Sequence, residues 1–199
     1  MISGIVLAGG ESRRMGSPKA LLDYQGRTFI ENICNAFVTA GVDELIVVLG
    51  AHEHEEKIRA AVPDHLMLQV RVNPRHRLGQ LSSLMVGIHA LSSESEVAVV
   101  NLVDHPLVKA ETIQRLISSF RADPLPIIIA SYQGRRGHPV LFSSLVYGEI
   151  LAAPLDRGAK VVVRKDPDRV REVCLDDPGI RADIDTPRAY AQWVGATKT

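Results

Sequence analysis

Short apolar runs alternate with segments of helical periodicity along the 199 residues, and this alternation constrains the fold more than any other feature. Most of the runs are nearly continuous Val, Ile and Leu, which is typical of strands covered on both faces. The pattern predicts an α/β domain in which helices cover both sides of a mostly parallel, Rossmann-like sheet, giving three α/β/α layers. The predicted strands are ISGIVLA (2–8), ELIVVLG (44–50), MLQVRV (67–72), VAVVNLV (97–103), PIIIAS (126–131) and VREVCL (170–175).

Three helices are predicted between these strands, over 28–41, about 79–91 and about 109–121. Thr28 and Glu31 have the spacing of a capping box, which favours a helix start at Thr28. Gly41 provides the stop signal for the same helix. No linker, repeat or low-complexity segment interrupts the chain, so we expect a single domain over 1–199.

Composition and charge exclude several function classes. Lys plus Arg and Asp plus Glu both number 23, so no net field attracts nucleic acid or an anionic membrane. No apolar run approaches the ~18 residues that span a bilayer, and no secretory signal is visible at the N-terminus. The two cysteines, Cys34 and Cys174, lack metal-ligand spacing and suit a reducing compartment. We therefore expect a cytoplasmic protein.

The first strand runs directly into a glycine-rich basic loop, VLAGGESRRMGSPKALL (6–22). Ligands of open α/β sheets bind beyond the carboxyl ends of the strands, where this loop lies. Adjacent glycines let backbone N–H groups approach an anion, and Arg14 and Lys19 add positive charge. The spacing fits neither GxxxxGK[S/T] nor GxGxxG, so the loop is a different kind of phosphate loop or a glycine-rich turn with solvated basic residues.

The loop LAGGESRRMGSPKALL resembles the LAGGxSxRMGxxK loop of the molybdenum-cofactor nucleotidyltransferases, the MobA-like guanylyltransferases and MocA-like cytidylyltransferases. Further segments resemble landmarks of the same family in the same order. These are GQLSSLMVGI (79–88), VDHPLV (103–108), RGHPVLF (136–142), DRGAKVVV (156–163) and ADIDTP (182–187). The resemblance implies a fold of the nucleotide-diphospho-sugar transferase type, with a nucleotide-binding half at about 1–105 and an acceptor-binding half at about 106–199.

The resemblance also implies an activity: transfer of a nucleoside monophosphate from a nucleoside triphosphate to a phosphorylated acceptor, with release of pyrophosphate. The later landmarks resemble the cytidylyl branch, which implies CTP as donor, Mg²⁺ as cofactor, molybdopterin as acceptor and a target molybdoenzyme as a candidate partner. The opening loop reads more like the guanylyl branch, so GTP stays an alternative. A sugar or polyol phosphate is the alternative acceptor, and a molybdenum cofactor carrier or chaperone without turnover is the second class of function.

The resemblance assigns the nucleotide to the opening loop and to the segment before the second helix. Arg14 and Lys19 would neutralise the triphosphate as catalytic groups, whereas Arg13 is interpreted as a solvated neighbour. The predicted nucleotide-binding residues are Leu7, Ala8, Gly9, Gly10, Arg14, Lys19, Gly79, Ser82 and Ser83.

The metal is assigned to Asp104, a catalytic residue that follows the buried run VAVVNLV before a proline turn. Mg²⁺ usually takes one or two protein carboxylates, so one more acid suffices. Asp183 and Asp185 would point to the same face of an extended strand. We expect Asp185 to be the second ligand, although either Asp185 or Thr186 can instead cap the last helix.

The acceptor is assigned to Arg136 and His138 in GRRGHPV, with Arg135 as a neighbouring candidate. His105 and His138 are more often structural at such positions, and a phosphate monoester needs no general base. The histidines of AHEHEEK, His52 and His54, are explained more simply by a polar helix face than by a metal site.

Overall fold

A seven-stranded mixed sheet forms the centre of the fold in the computed structural model, which describes residues 1–12, 14–51, 54–65 and 67–195. A two-stranded hairpin lies apart from it. The strands are β1 (Ile2–Ala8), β2 (Asp23–Tyr24), β3 (Arg27–Thr28), β4 (Glu44–Gly50), β5 (Leu68–Asn73), β6 (Val97–Leu102), β7 (Ile127–Tyr132), β8 (Arg135–Ser143) and β9 (Val170–Cys174). The order in the large sheet is β5-β4-β1-β6-β8-β7-β9, and β2 pairs with β3.

The first half of the sheet is parallel, whereas β8 runs antiparallel to both of its neighbours, β6 and β7. The six strands predicted from apolar runs are confirmed, but β8 was not predicted because its first half, RRGHP, carries no apolar pattern. Gln133 and Gly134 both have positive φ and join β7 to β8 in a tight hairpin. Their conformation is that of a type I′ turn, which Asn-Gly signals more clearly than Gln-Gly does.

Helices cover both faces of the sheet, which confirms the predicted three-layer α/β/α class. The helices are α1 (Phe29–Ala40), α2 (Glu55–Ala61), α3 (Gln80–His89), α4 (Ala110–Ala122), α5 (Tyr147–Leu151), α6 (Lys160–Val163) and α7 (Pro187–Trp193). Buried side chains of α1, α2 and α4 share one core with Val6, and those of α3, α5 and α6 share another core with Ile5. Ile5 and Val6 are neighbours in β1 and point to opposite faces of the sheet, so the two groups of helices cover opposite faces.

Local sequence signals place the ends of α1 as expected. The Thr28 side chain accepts a hydrogen bond from the Glu31 backbone, and the Glu31 carboxylate accepts one from the Thr28 backbone, which confirms the capping box. The Thr28 hydroxyl also donates to the Glu31 carboxylate, and this hydrogen bond, with the one from the Thr28 backbone N–H, lowers the pKa of Glu31. Gly41 adopts the left-handed conformation at the carboxyl end.

The strands β1 and β6 lie side by side at the centre of the sheet, so their carboxyl ends open at the same edge. Helix α3 packs closely on β1, since a side chain on Gly87 would meet Ile5 at 2.7 Å. None of the helices in the described ranges has the length and apolar character that crossing a bilayer would require. Cys34 is buried in the α1 core, whereas Cys174 is exposed on β9 rather than in an apolar setting.

Candidate nucleotidyl-transfer site

A cleft of about 560 Å³ opens at the carboxyl ends of β1 and β6. It collects residues from the glycine-rich loop, the start of α3, the turn after β6 and the segment before α7. Its lining consists of Leu7, Gly9, Gly10, Glu11, Ser12, Arg14, Lys19, His76, Arg77, Gly79, Gln80, Ser83, Leu102, Val103, Asp104 and Asp185. We call this the first cleft.

The glycine-rich loop packs against the start of α3. A Cβ on Gly9 would lie 3.1 Å from Ser83 Oγ, so a side chain there would press on the helix. Gly10 has open space beside it and leaves the cleft floor bare. The Lys19 backbone N–H donates to Ser12 Oγ at 2.9 Å, which folds the loop back on itself and brings the lysine to the cleft.

Two cations of the loop face two carboxylates across the first cleft. Lys19 Nζ lies 3.0 Å from Asp104 Oδ2, with both side chains largely buried. Arg14 Nη2 lies 2.5 Å from Asp185 Oδ2, although the arginine side chain is 71% exposed. The first cleft therefore combines cations that suit the phosphates of a triphosphate with carboxylates that suit a divalent cation.

The opposite wall of the first cleft is held by a polar network at the start of α3. The Asn73 side-chain amide donates to Ser82 Oγ at 2.8 Å and to Ser83 Oγ at 3.0 Å. The Ser82 hydroxyl in turn donates to backbone carbonyls of the preceding turn. Arg77 Nε donates to Glu11 at 2.8 Å and joins this wall to the glycine-rich loop.

The turn after β6 fixes the position of Asp104 through three backbone-directed hydrogen bonds. Val103 N–H donates to the Leu7 carbonyl at 3.1 Å, and the Asn101 side chain donates to the His105 carbonyl at 3.2 Å. Ile184 N–H donates to the Asp104 carbonyl at 2.8 Å. The last of these contacts ties the C-terminal segment to the turn.

This tie brings Asp183 to Asp104 and His105. One potential ligand atom from each of these three side chains lies within 4.8 Å of the other two. Burial and the neighbouring charges of Asp104 and Asp185 raise the pKa of Asp183, because they disfavour another carboxylate. Burial lowers the pKa of His105, which favours its neutral, metal-ligating form.

A second cleft of about 690 Å³ lies beside the first and shares Leu7, Gln80 and Leu102 with it. Its floor is apolar, and basic side chains of four segments reach its rim. The remaining lining includes Leu81, Leu84, Val100, His105, Ile129, Arg136, Gly137, His138, Val140, Phe142, Arg157, Lys160, Arg164, Arg181 and Asp183. Asp104 faces the first cleft and Asp183 the second, so the carboxylate pair lies at their junction.

Residues 4–170 match the model of a protein family described as the MobA-like NTP transferase domain. The chain belongs to this family. It is accordingly a nucleotidyltransferase, with the α/β fold that the sequence predicts.

Two relatives match different shares of this MobA-like chain. Nicotine blue oxidoreductase of Paenarthrobacter nicotinovorans is 31% identical over 93% of this chain and 92% of its own length. A probable molybdenum cofactor guanylyltransferase of Bacillus cytotoxicus is 31% identical over 68% of this chain and 64% of its own length.

Solved structures match the whole MobA-like domain. Rv0371c of Mycobacterium tuberculosis superimposes with a TM-score of 0.84 at 31% identity, covering 98% of this chain and 97% of that one. A structure of Rv0371c in complex with manganese superimposes with a TM-score of 0.77 at 29% identity, covering 98% of each chain.

The two clefts of the MobA-like domain bring together most of the residues predicted from sequence. Leu7, Gly9, Gly10, Arg14, Lys19, Gly79, Ser83, Asp104 and Asp185 line the first cleft, and Arg136, His138 and Asp183 line the second. Ala8 is buried, and the Ser82 hydroxyl is committed to Asn73 and the turn before α3, so neither side chain belongs to the lining. Arg135 is also outside it, and both arginines lie in β8 rather than in a turn.

The geometry differs from the sequence-based preference for Asp185 as the second metal ligand. Residues 183–185 lie outside the described strands and follow a turn in which Asp183 N–H donates to the Arg181 carbonyl. Asp183 is grouped with Asp104, and Asp185 is paired with Arg14. The Thr186 side chain caps α7, with Pro187 at its first position.

Some site residues were not predicted, and some predictions concern residues that the structure does not describe. Arg157, Lys160 and Arg181 reach the second cleft. The DRGAK segment was the sequence signal for the first two, and the ADIDTP segment that directly follows Arg181 was the signal for the third. His105 was treated as structural, although its position directly after Asp104 was a signal for the site. Arg13 and His52 lie outside the described residues.

Proposed function

We propose that this protein transfers CMP from CTP to the phosphate of molybdopterin and releases pyrophosphate, with a divalent cation between the two substrates. The observation that carries the proposal is the meeting of two clefts at one sheet edge. A cationic loop faces the first cleft, a basic rim surrounds the second, and a carboxylate from each lies at the junction. This arrangement suits two phosphate-bearing substrates placed in line.

The loop cations would bind the triphosphate of the donor nucleotide. Lys19 and Arg14 now contact Asp104 and Asp185, and incoming phosphate oxygens compete for the same two cations. When the two cations bind phosphate oxygens instead, the carboxylates lose their ion pairs. Nucleotide binding would thus free the carboxylates to bind a cation.

Asp104 and Asp183 are the residues that would hold the cation. Asp104 Oδ1 is buried and lacks a hydrogen-bond partner among the described residues, so it has a free acceptor position. A cation bound there supplies charge neutralisation to the phosphates. The manganese complex of Rv0371c supports the use of a divalent metal by this family member.

The second cleft fits the acceptor. Leu81, Leu84 and Val100 contribute an apolar floor on which a flat ring system can lie, and Arg136 and Arg181 stand at the rim for an anionic group. An acceptor phosphate is largely dianionic at neutral pH and can attack without a general base. The protein then contributes position and charge rather than covalent chemistry.

The choice of CTP is supported by the segments GQLSSLMVGI, RGHPVLF and ADIDTP, which resemble the cytidylyl branch and all contribute to the clefts. The guanylyltransferase relative of Bacillus cytotoxicus supports GTP instead, over about two thirds of the chain. A thermal-shift titration with CTP, GTP, ATP and UTP, each with and without Mg²⁺, separates the two. Saturation at 100 times Kd should raise Tm by about 5–10 °C.

Turnover is tested by pyrophosphate release from CTP with molybdopterin and Mg²⁺. Asp104→Asn should abolish release while nucleotide binding persists, and Asp168→Asn, an exposed acid outside both clefts, serves as the matched control. Cytidylyl transfer is rejected if CTP gives neither a thermal shift nor pyrophosphate. Binding without release would instead favour a carrier.

A redox activity is the second candidate, because the relative named nicotine blue oxidoreductase matches this chain over nearly its whole length. Absorbance of nicotine blue in the presence of an added electron donor tests it directly. A change that depends on the protein and requires no nucleoside triphosphate would favour this candidate over transfer.

A further inference from the structure

His105 lies directly after Asp104 and is buried, with 7% of its surface exposed. Its Nδ1 atom is also buried and has no hydrogen-bond partner among the described residues. A buried polar nitrogen without a partner is costly in a folded protein. A bound ligand at this position would remove that cost.

The surroundings of the ring fix its orientation. A hydrogen bond to the backbone of Gly179 engages the imidazole. Gly179 itself packs closely against the Leu107 backbone, since a Cβ on it would lie 2.2 Å from the Leu107 carbonyl oxygen. Metal-ligating histidines commonly donate one ring N–H to a backbone carbonyl in this way, which leaves the other nitrogen with a free lone pair.

His138 packs against the same ring from β8. The two imidazole centroids are 5.1 Å apart with an interplanar angle of 54°. This contact limits the orientations open to the His105 ring.

We propose that Asp104, His105 and Asp183 form a mixed nitrogen and oxygen site in which a ring nitrogen of His105 binds a divalent transition metal. Their potential ligand atoms lie within 4.8 Å of one another at the junction of the clefts. Imidazole nitrogen favours transition metals, whereas Mg²⁺ prefers an all-oxygen shell. The site therefore selects Mn²⁺ over Mg²⁺. This inference rests on the proposed function only in assuming that the metal lies between the nucleotide and the acceptor.

The test uses the full-length protein, freed of metal with a chelator and titrated with Mn²⁺ alone. Electron paramagnetic resonance counts bound Mn²⁺, and electron spin-echo modulation detects nitrogen in its coordination shell. We expect nitrogen modulation in the wild type that changes when histidine is labelled with ¹⁵N. This measurement needs no variant and therefore does not depend on the folding of one.

Variants then assign the nitrogen. His105→Asn should remove the modulation and weaken Mn²⁺ binding about tenfold or more, with a smaller effect on Mg²⁺. His89→Asn, an exposed histidine of α3, is the matched control and should change neither property. Asp183→Asn should weaken Mn²⁺ binding while the nitrogen modulation is retained.

Bound Mn²⁺ without nitrogen modulation, modulation that persists in His105→Asn, or no Mn²⁺ binding at millimolar concentration would each overturn the assignment. Pyrophosphate release with Mg²⁺ under the same conditions tests the proposed function separately. Release without a nitrogen signal retains that function and removes this inference. A nitrogen signal without release retains the metal site and removes the proposed function.

Discussion

Lys19 Nζ lies 3.0 Å from Asp104 Oδ2, so the phosphate-binding cation and the metal-binding acid proposed here neutralise each other in the free protein. Both side chains are mostly buried, with 14% and 23% of their surfaces exposed. Such a pair is held in place more firmly than an exposed one, because solvent screens it less. Lys19 and Asp104 are therefore already positioned before the proposed nucleotide and metal bind.

Removal of the Lys19 charge should slow pyrophosphate release by about 10²–10³-fold, the usual effect of losing one donor to developing charge. Lys19→Met removes the ammonium and keeps much of the chain volume. Steady-state kinetics with CTP and acceptor measure the loss, and Lys57→Met on the exposed side of α2 provides the control. A Lys19→Met enzyme with wild-type kcat would contradict the role of this lysine.

The double variant of Lys19→Met and Asp104→Asn tests whether the two groups act together. Since they contact each other and would share one metal–nucleotide complex, their effects on kcat should be much less than additive. Independent, additive losses would show that the ion pair has no bearing on turnover.

Asp183 and Asp185 should respond differently to amide substitution. Asp183 is grouped with Asp104, so Asp183→Asn should raise the Mg²⁺ concentration for half-maximal activity by about tenfold or more. Asp185 pairs with the exposed Arg14, and an exposed pair is worth about 0–1 kcal/mol, which limits its effect to about fivefold. Metal titrations of both variants decide between them, and the reverse order of effects would restore Asp185 as the ligand.

The glycine-rich loop and the capping box could be predicted because each depends on neighbouring residues. The run of β1 predicts a strand by itself, and Thr28 and Glu31 form their box within one helical turn. Strand β8 escaped prediction because its pairing with β6 and β7 is a long-range property, and its first half carries no apolar pattern. The place of the second cleft depends on that strand.

The relation between Asp104 and Asp183 could not be read from sequence for the same reason. It depends on the hydrogen bond from Ile184 N–H to the Asp104 carbonyl, which links residues 80 positions apart. The expectation that Asp183 and Asp185 share a face assumed an extended strand. In the structure these residues lie outside any described strand, and Asp185 lines the first cleft whereas Asp183 lines the second.

Arg136 should bind the acceptor and not the nucleotide. Both Arg136 and its neighbour Arg135 are exposed, but only Arg136 lines the second cleft, with Nε 2.5 Å from Glu172. Arg136→Gln should raise the KM for the acceptor by about tenfold or more, because a hydrogen bond to a charged group is worth about 1.5–3 kcal/mol. The KM for CTP should stay unchanged. Arg135→Gln is the matched control, and equal effects of the two variants would remove Arg136 from the acceptor site.

His138 should make the metal-free protein less stable in mild acid. Burial, with a smaller effect of His105, lowers its pKa from 6.5 to about 4. Between these values the unfolded chain binds a proton that the folded chain does not bind, so the free energy of unfolding falls as pH falls from 6.5 to 4. Each pKa unit is worth about 1.4 kcal/mol, which makes the loss on the order of 3 kcal/mol.

Urea denaturation of the metal-free wild type and of His138→Gln at several pH values measures this contribution. The variant lacks the titrating ring, so its free energy of unfolding should fall less steeply over the same window, whatever its stability at pH 7. The carboxylates near the ring, Asp104 and Asp183, are present in both proteins and cancel in the difference. Parallel pH profiles would show that His138 is not the group whose protonation destabilises the fold.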